Sequence, residues 1–225
     1  MVLNLVVLGP PGSGKGTQAD RLVRERGIPK ISTGDILREA VQVGTELGRR
    51  AKAIMDRGDL VSDDVMVGIV RERLRQPDAA SGFVLDGFPR TVPQAIELDE
   101  LMIGRAPLII IDVEVPDVEL VRRLGSRLIC ESCGTNALGA TDDGSPPLRC
   151  GKCSGRLVKR ADDAESVVRE RLKVYQRNTK PLVEFYRPRA TFRSIDGAQT
   201  PEKVAADIRA AVEEAGAPRA REGSA

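Results

Sequence analysis

The sequence predicts an α/β fold in three layers, a mainly parallel sheet with helices on both faces, carrying one helical insertion and one cysteine-bearing insertion. Three observations predict it. Strand-like apolar runs alternate with helical periodicity along most of the 225 residues, which is the pattern of βαβ units. The first run, Val2 to Leu8, leads directly into a glycine-rich turn and then a helix start. All four cysteines fall in the stretch from Ile129 to Val158, whose Gly, Pro, Ser and Asp content cannot build an apolar core.

Val2 to Leu8 is β-branched and leucine-rich without alternation, as befits a strand buried on both faces. From Gly14 to Arg26 the positions Ala19, Leu22 and Val23 give a helix one apolar face, and Ile28 to Ile31 suggests a short second strand. Ser32-Thr33-Gly34-Asp35 supplies capping residues, with Thr33 the expected N-cap. Between Thr33 and Val61 helical stretches broken at Gly44, Gly48 and Gly58 show no strand pattern, so the chain makes a helical excursion from the sheet. Ser62-Asp63-Asp64 caps a helix through Arg75 that Pro77 stops, and Gly82-Phe83-Val84-Leu85 is another buried strand. Thr91 to Ile103 is helical, Pro107 to Val113 is a strongly apolar strand, and Pro116 to Leu128 is a helix with proline at its start. Asp162-x-x-Glu165 has the form of a capping box opening a long helix to Asn178, continued by Pro181 to Tyr186. Thr191 to Ile195 is the last strand and Thr200 to Glu214 the last helix; from Gly216 the small polar residues are expected to be disordered.

Composition excludes several function classes. With 35 basic and 33 acidic residues the net charge is +2, so no global field marks nucleic acid or an anionic membrane as a partner. No apolar run reaches membrane-spanning length, and Met1-Val2-Leu3-Asn4 lacks the basic region of a signal peptide, so a soluble cytoplasmic protein is expected. The absence of any heptad repeat favours a monomer. No histidine is present, so catalysis rests on Lys, Arg, carboxylates and backbone dipoles. Four Phe, two Tyr and no Trp offer little base-stacking surface.

Gly9-Pro10-Pro11-Gly12-Ser13-Gly14-Lys15-Gly16-Thr17 has the residue types of a phosphate-binding loop. Glycines let successive backbone N–H groups point at one anion, the helix N-terminus adds partial positive charge, and Lys15 brings a mobile cation to the outer phosphates. The hydroxyl of the standard motif is displaced, with Gly16 after Lys15 and the hydroxyl at Thr17. Asp86-Gly87-Phe88-Pro89-Arg90-Thr91 stands at the carboxyl end of a strand, where Asp86 is placed to bind Mg²⁺ through water and Arg90 to grip a phosphate. Taken alone, that stretch reads equally as a strand-to-helix turn with a surface arginine. Cys130-x-x-Cys133 and Cys150-x-x-Cys153, sixteen residues apart, have four-thiolate zinc spacing. Two disulfides are the alternative reading, which a cytoplasmic setting disfavours. Such a metal would staple a loop and leave no open position for catalysis. Arg123 and Arg127 share a helical face at i, i+4, a repulsion of about 0.2–0.5 kcal/mol that a bound anion would offset. Arg160, Arg171 and Arg38 come from other segments, so the arginines converge on one strand end.

The joint occurrence of GPPGSGKGT (9–17), STGD (32–35) followed by Arg38, GDLVSD (58–63), DGFPRT (86–91) with Gln94, the four cysteines, and RADD (160–163) followed by Arg171 resembles the adenylate kinase family, in its zinc-containing, long-lid bacterial type. The resemblance runs from Val2 to Ala211. It implies reversible phosphoryl transfer from MgATP to AMP, giving two ADP. It also implies that Gly12, Ser13, Gly14, Lys15, Gly16 and Thr17 hold the ATP phosphates, and that Thr33, Arg38, Asp59, Leu60, Val61, Gly87, Phe88, Pro89, Arg90 and Gln94 bind AMP, Gln94 reading the adenine edge. Arg123, Arg127, Arg160 and Arg171 act on the phosphates with Asp86, and Asp162 and Asp163 orient the lid arginines. Asn136, Ala137 and Gln199 lie near the ATP base. Residues 1–31, 62–126 and 165–225 form the P-loop core, 32–61 the AMP-binding domain and 127–164 the zinc-bearing ATP lid. One departure concerns the lid: an aromatic and a histidine usual after the second cysteine are here Asn136, Ala137 and Leu138.

Two other readings are separable. A related kinase using UMP as acceptor or GTP as donor would show in an assay across nucleotides. A P-loop protein whose zinc ribbon binds nucleic acid would show salt-dependent binding, against which stand the near-neutral charge and scarce aromatics.

Overall fold

The computed structural model describes residues 2–137, 149–160 and 163–216. Its central sheet has five strands in the order β2-β3-β1-β4-β8, namely β2 (Lys30–Ser32), β3 (Gly82–Asp86), β1 (Leu3–Leu8), β4 (Leu108–Glu114) and β8 (Phe192–Asp196). Every pairing is parallel. Parallel strands need covering on both faces, and the side-chain alternation of β1 does this sorting. Leu3, Leu5 and Val7 point into one core with Ala19 and Leu22 of α1 (Lys15–Arg26) and Val204, Ile208 and Val212 of α9 (Pro201–Gly216). Val6 and Leu8 point into the other core, with Met66 and Val70 of α4 (Asp63–Leu74), Leu98 of α5 (Val92–Leu101) and Leu182 and Tyr186 of α8 (Pro181–Tyr186). Each such fully buried side chain is worth roughly 1.5–3 kcal/mol. An exposed pair such as Lys52–Asp56 contributes about 0.3–0.5 kcal/mol. The sheet positions therefore decide the fold.

The helical excursion is a two-helix hairpin, α2 (Thr33–Val43) and α3 (Glu46–Asp56). Two expectations are corrected here. Ser32 caps α2, its hydroxyl accepting the Asp35 N–H at 3.3 Å, whereas Thr33 is already helical and turns its hydroxyl to the Gly87 carbonyl, 2.9 Å away. Gly48 does not break a helix: it lies inside α3, capped by Thr45, because a Cβ there would stand 2.0 Å from the Ala40 carbonyl oxygen. The glycine is what lets α3 press against α2.

Beyond α6 (Asp117–Ser126) the chain leaves the sheet for a second, three-stranded antiparallel one, order β6-β5-β7, made of β5 (Leu128–Cys130), β6 (Asn136–Ala137) and β7 (Leu157–Lys159). Leu128 thus belongs to a strand and not to the end of a helix. The long helix is α7 (Glu165–Val174), running into a π-helical turn, Tyr175–Thr179. Its N-cap is Ala164, with no side-chain bond; Asp162, on which the expected capping box rests, Ala161, Leu138 and the tail after Gly216 lie outside the described residues.

Gly48→Ala is expected to destabilise the α2–α3 hairpin by about 1–3 kcal/mol, the usual cost of overpacking. Hydrogen exchange is the measurement: amides of residues 33–56 should lose protection while β1 and β4 keep theirs, and unchanged protection would contradict so close an approach.

Candidate active site

The cleft opens at the carboxyl ends of β1 and β3, where parallel sheets place their ligands. The loop after β1 is seated against β4: Gly9 has φ +137°, and a Cβ on it would stand 2.6 Å from the Val113 carbonyl oxygen. Ser13 N–H bonds the Pro10 carbonyl at 3.1 Å. Gly14, the N-cap of α1, has a left-handed backbone and provides no side-chain cap, and the first turn carries no acidic residue. That leaves a helix N-terminus turned to the cleft with its donors available to an anion. Lys15 Nζ folds over the loop, donating to the carbonyls of Gly9 and Pro10 at 2.7 Å each. Burial lowers its pKa to about 8, opposed by the Asp86 carboxylate and reinforced by Arg90, Arg171 and Arg127.

Asp86 ends β3 on the other side of the loop. Gly16 brings the loop close to it, since a Cβ there would be in contact distance, 3.4 Å, from Asp86 Oδ2. A carboxylate oxygen beside a phosphate-binding loop is one that could hold Mg²⁺ through water. After Asp86 the chain turns through Gly87, a cis peptide between Phe88 and Pro89, and Arg90. Arg90 Nε donates to the Gly87 carbonyl at 2.9 Å, and the Thr179 hydroxyl donates to the Arg90 carbonyl at 2.9 Å. The excursion supplies the facing wall, with Thr33, Arg38, Asp59, Leu60 and Val61. Arg38 pairs with Asp35, and Lys30 bridges Asp20 (2.6 Å) and Asp35 (3.4 Å). The Asp35 pKa is lowered, burial being outweighed by the cations Arg38 and Lys30.

The remaining cations enter from α6, from the two ends of the antiparallel insertion and from α7. Arg127 does not share a helical face with Arg123: α6 ends at Ser126, and Arg127 is extended. A carboxylate takes up each guanidinium, so no bound anion is needed to explain their closeness. Arg123 Nε donates to Glu119 at 2.7 Å. Arg127 Nε donates to Asp163 Oδ2 at 2.7 Å, and the same Asp163, almost wholly buried, accepts from Arg171 at 3.3 Å. Arg123, Arg127, Arg160, Arg171 and Asn136 line the cleft together with Gly12, Gly14, Lys15, Gly16, Thr17, Asp86, Gly87, Pro89, Arg90 and Gln94.

Four expected residues are not among those lining it. Ser13 is buried beneath the loop, 3.5 Å from Lys15 Nζ. Phe88 belongs to the core, because its ring finds apolar partners on the far side of the turn. Ala137 is in β6. Gln199 follows β8, and its side-chain amide donates to the Asp196 carbonyl and to Asp207. Conversely, Lys30, Tyr175 and Thr179 line the cleft without having been singled out, and Asp35, read as a capping residue, lines it too. Asp112 on β4 is buried and does not line the cleft: burial, then Glu114, pushes its carboxyl up to about 6, and its Oδ1 has no hydrogen-bond partner among the described residues.

The four cysteine sulfurs lie within 4.8 Å of one another, none in a disulfide. Two turns of matching form present them. Cys130 N–H bonds the Thr135 carbonyl (3.0 Å) and Gly134 N–H the Cys130 carbonyl (3.0 Å), while Cys150 N–H bonds Gly155 (2.9 Å) and Ser154 N–H bonds Cys150 (2.8 Å). The fourth residue after each first cysteine is left-handed, Gly134 at φ 68° and Ser154 at φ 58°. Sulfur separations of 3.4 Å (Cys130–Cys153) and 3.6 Å (Cys133–Cys150) approach the roughly 3.8 Å of a tetrahedral zinc thiolate site. The cluster fits such an ion.

A family model described as adenylate kinase matches residues 7–191. Adenylate kinases similar to this chain include that of Archaeoglobus fulgidus, 48% identical over 94% of this chain and 98% of that protein. Another, from Trichlorobacter lovleyi, is 51% identical over 94% of this chain and all of that protein. A third, from Geobacillus sp., is 48% identical over 92% of this chain and 97% of that protein.

Because a bound anion favours the charged ammonium, the pKa of Lys15 in a complex lies above its free value near 8. Triphosphate affinity should therefore fall as pH rises above about 8, by up to tenfold per unit. Calorimetric titration between pH 7 and 9.5 checks this, and Lys15→Ala should flatten the profile. If the four cysteines hold an ion, chelation is expected to lower Tm and leave weak activity at low temperature, as a structural site would; an unchanged Tm would contradict the staple.

Proposed function

The chain belongs to the adenylate kinase family and is a phosphotransferase, and from that premise we propose that it catalyses ATP + AMP = 2 ADP by direct in-line transfer. The observation that carries this is the meeting of an amide-lined loop, Lys15 and the guanidinium-bearing residues 38, 90, 123, 127, 160 and 171 on one cleft. Transfer of a phosphoryl group requires little covalent chemistry from the protein, only alignment and fixed positive charge on the moving oxygens. A histidine-free site of this composition suits that demand.

In this reading Gly12 to Thr17 cradle the ATP phosphates, with Lys15 on the outer ones, and Arg38 and Arg90 grip the AMP phosphate. Arg123, Arg127, Arg160 and Arg171 close over the transferring group. Asp163 keeps two of these guanidiniums in place before substrate arrives. Mg²⁺, held by the phosphates and through water by Asp86, would neutralise charge on the donor's oxygens. Residues 32–61 act as the AMP-binding domain, 127–164 as the ATP lid and the rest as the core, the two flaps excluding water that would otherwise hydrolyse ATP. Gln94 reads the adenine of AMP, and Asn136, Ala137 and Gln199 lie on the donor-base side. The cell would use the reaction to balance adenine nucleotides in the cytoplasm, with a monomeric enzyme and a zinc-stapled lid. Among the described residues no helix is long and apolar enough to cross a membrane.

Lys15→Ala and Arg90→Ala are each expected to lower kcat/KM by about 100-fold or more with far-UV circular dichroism unchanged. ADP formation from ATP, Mg²⁺ and AMP is the assay, repeated with UMP and with GTP. Unchanged turnover in either variant would remove that residue from the site, and equal rates with UMP would overturn the assignment of the acceptor.

A further inference from the structure

The amide of Gln94 is held at both ends, and one of the holders is a residue outside the proposed machinery, Asp63. Gln94 sits in the first turn of α5 and is 1% exposed. Its Oε1 accepts the backbone N–H of Arg90 at 2.8 Å, and its Nε2 donates to Asp63 Oδ1 at 2.7 Å. The other carboxylate oxygen of Asp63 accepts the Thr91 hydroxyl at 2.9 Å, and Thr91 Oγ1 in turn accepts the Gln94 N–H at 3.3 Å. One carboxylate from the start of α4 thus steadies both the cap of α5 and the side chain that α5 presents to the cleft. The chemistry of the partners fixes which end of the amide is oxygen: an ionised carboxylate only accepts and a backbone N–H only donates.

We propose that Asp63 is a specificity-determining positioning residue, which makes the acceptor subsite complementary to adenine and hostile to 6-oxopurines by holding the Gln94 amide in one of its two orientations. This rests on the reading of Gln94 as the residue that meets the acceptor base. Adenine offers an acceptor at N1 and a donor at its 6-amino group. The second hydrogen on Nε2 and the second lone pair on Oε1 match that pair. Hypoxanthine and guanine offer the reverse, a donor at N1 and an acceptor at O6, and an amide turned by half a revolution would match them equally well. A glutamine free to turn therefore does not discriminate. Turning Gln94 here would set Oε1 against an Asp63 oxygen and the amino group against the Arg90 N–H, two opposed contacts in place of two hydrogen bonds. Specificity against 6-oxopurines then arises from a built-in penalty as much as from attraction to adenine.

The test is the ratio of kcat/KM for adenosine monophosphate to that for inosine monophosphate, both measured on one preparation so that any unfolded fraction cancels. Asp63→Asn keeps the shape and offers Gln94 Oε1 a donor, so the ratio should fall by about tenfold or more, through a gain with inosine monophosphate as well as a loss with AMP. KM for ATP should be unchanged. The Arg90 N–H still favours the original orientation, so the ratio should stay above unity. Asp63→Ala, which removes the acceptor without supplying a donor, should lower the ratio less than Asn does. A merely structural Asp63 would shift Tm and leave the ratio alone, and that result overturns the proposal. Gln94→Ala separates the two failures. If it collapses the ratio while both Asp63 variants leave it intact, Gln94 reads the base but Asp63 does not orient it. If it too leaves the ratio intact, the reading of Gln94 fails and the proposal with it.

Discussion

Everything in this molecule answers to one electrostatic constraint: many cations must be gathered at one strand end without a substrate to neutralise them. The protein meets it with carboxylates of its own. Asp35 takes Arg38, Glu119 takes Arg123, Asp163 takes both Arg127 and Arg171, and Asp86 attracts Lys15. Each acid holds its base within reach of the cleft. Lys15 shows the residual strain of the arrangement, since burial and three arginines outweigh the attraction of Asp86 and lower its pKa.

The sheet makes this gathering possible. Parallel strands deliver the loop after β1 and the turn after β3 to one edge, and the buried alternation of β1 between two cores fixes the register on which both depend. Lys15 and Arg90 ride on these two turns, and Arg38, Arg123, Arg127, Arg160 and Arg171 reach the same edge from other segments. A shared sheet edge of this kind suits phosphoryl transfer, because positioning the reacting groups demands precision.

Much of this was legible in the sequence. The glycine loop, the DGFPRT turn and the paired cysteines each carry local chemistry that admits few alternatives, and the apolar runs of β1, β3 and β4 are too continuous for other roles. What was not legible depended on tertiary contact. Gly48 looks like a helix breaker until Ala40 is seen against it. Arg127 looks helical until the chain turns extended to reach Asp163. The strands β5 to β7 are two or three residues long and gain stability from the cysteine turns, so periodicity could not register them. Asp63 was read as a capping residue. Its bonds to Thr91 and Gln94 span 28 and 31 residues and leave no trace in local pattern.

The matched cysteine turns have a mechanical consequence. In β5 and β7, Leu128 stands opposite Lys159, so Arg127 and Arg160 are the next pair outward, at the root of a hairpin whose tip is clasped by four sulfurs. The spacing of the two residues is therefore set by the pairing of β5 with β7 and held by the clasp beyond it.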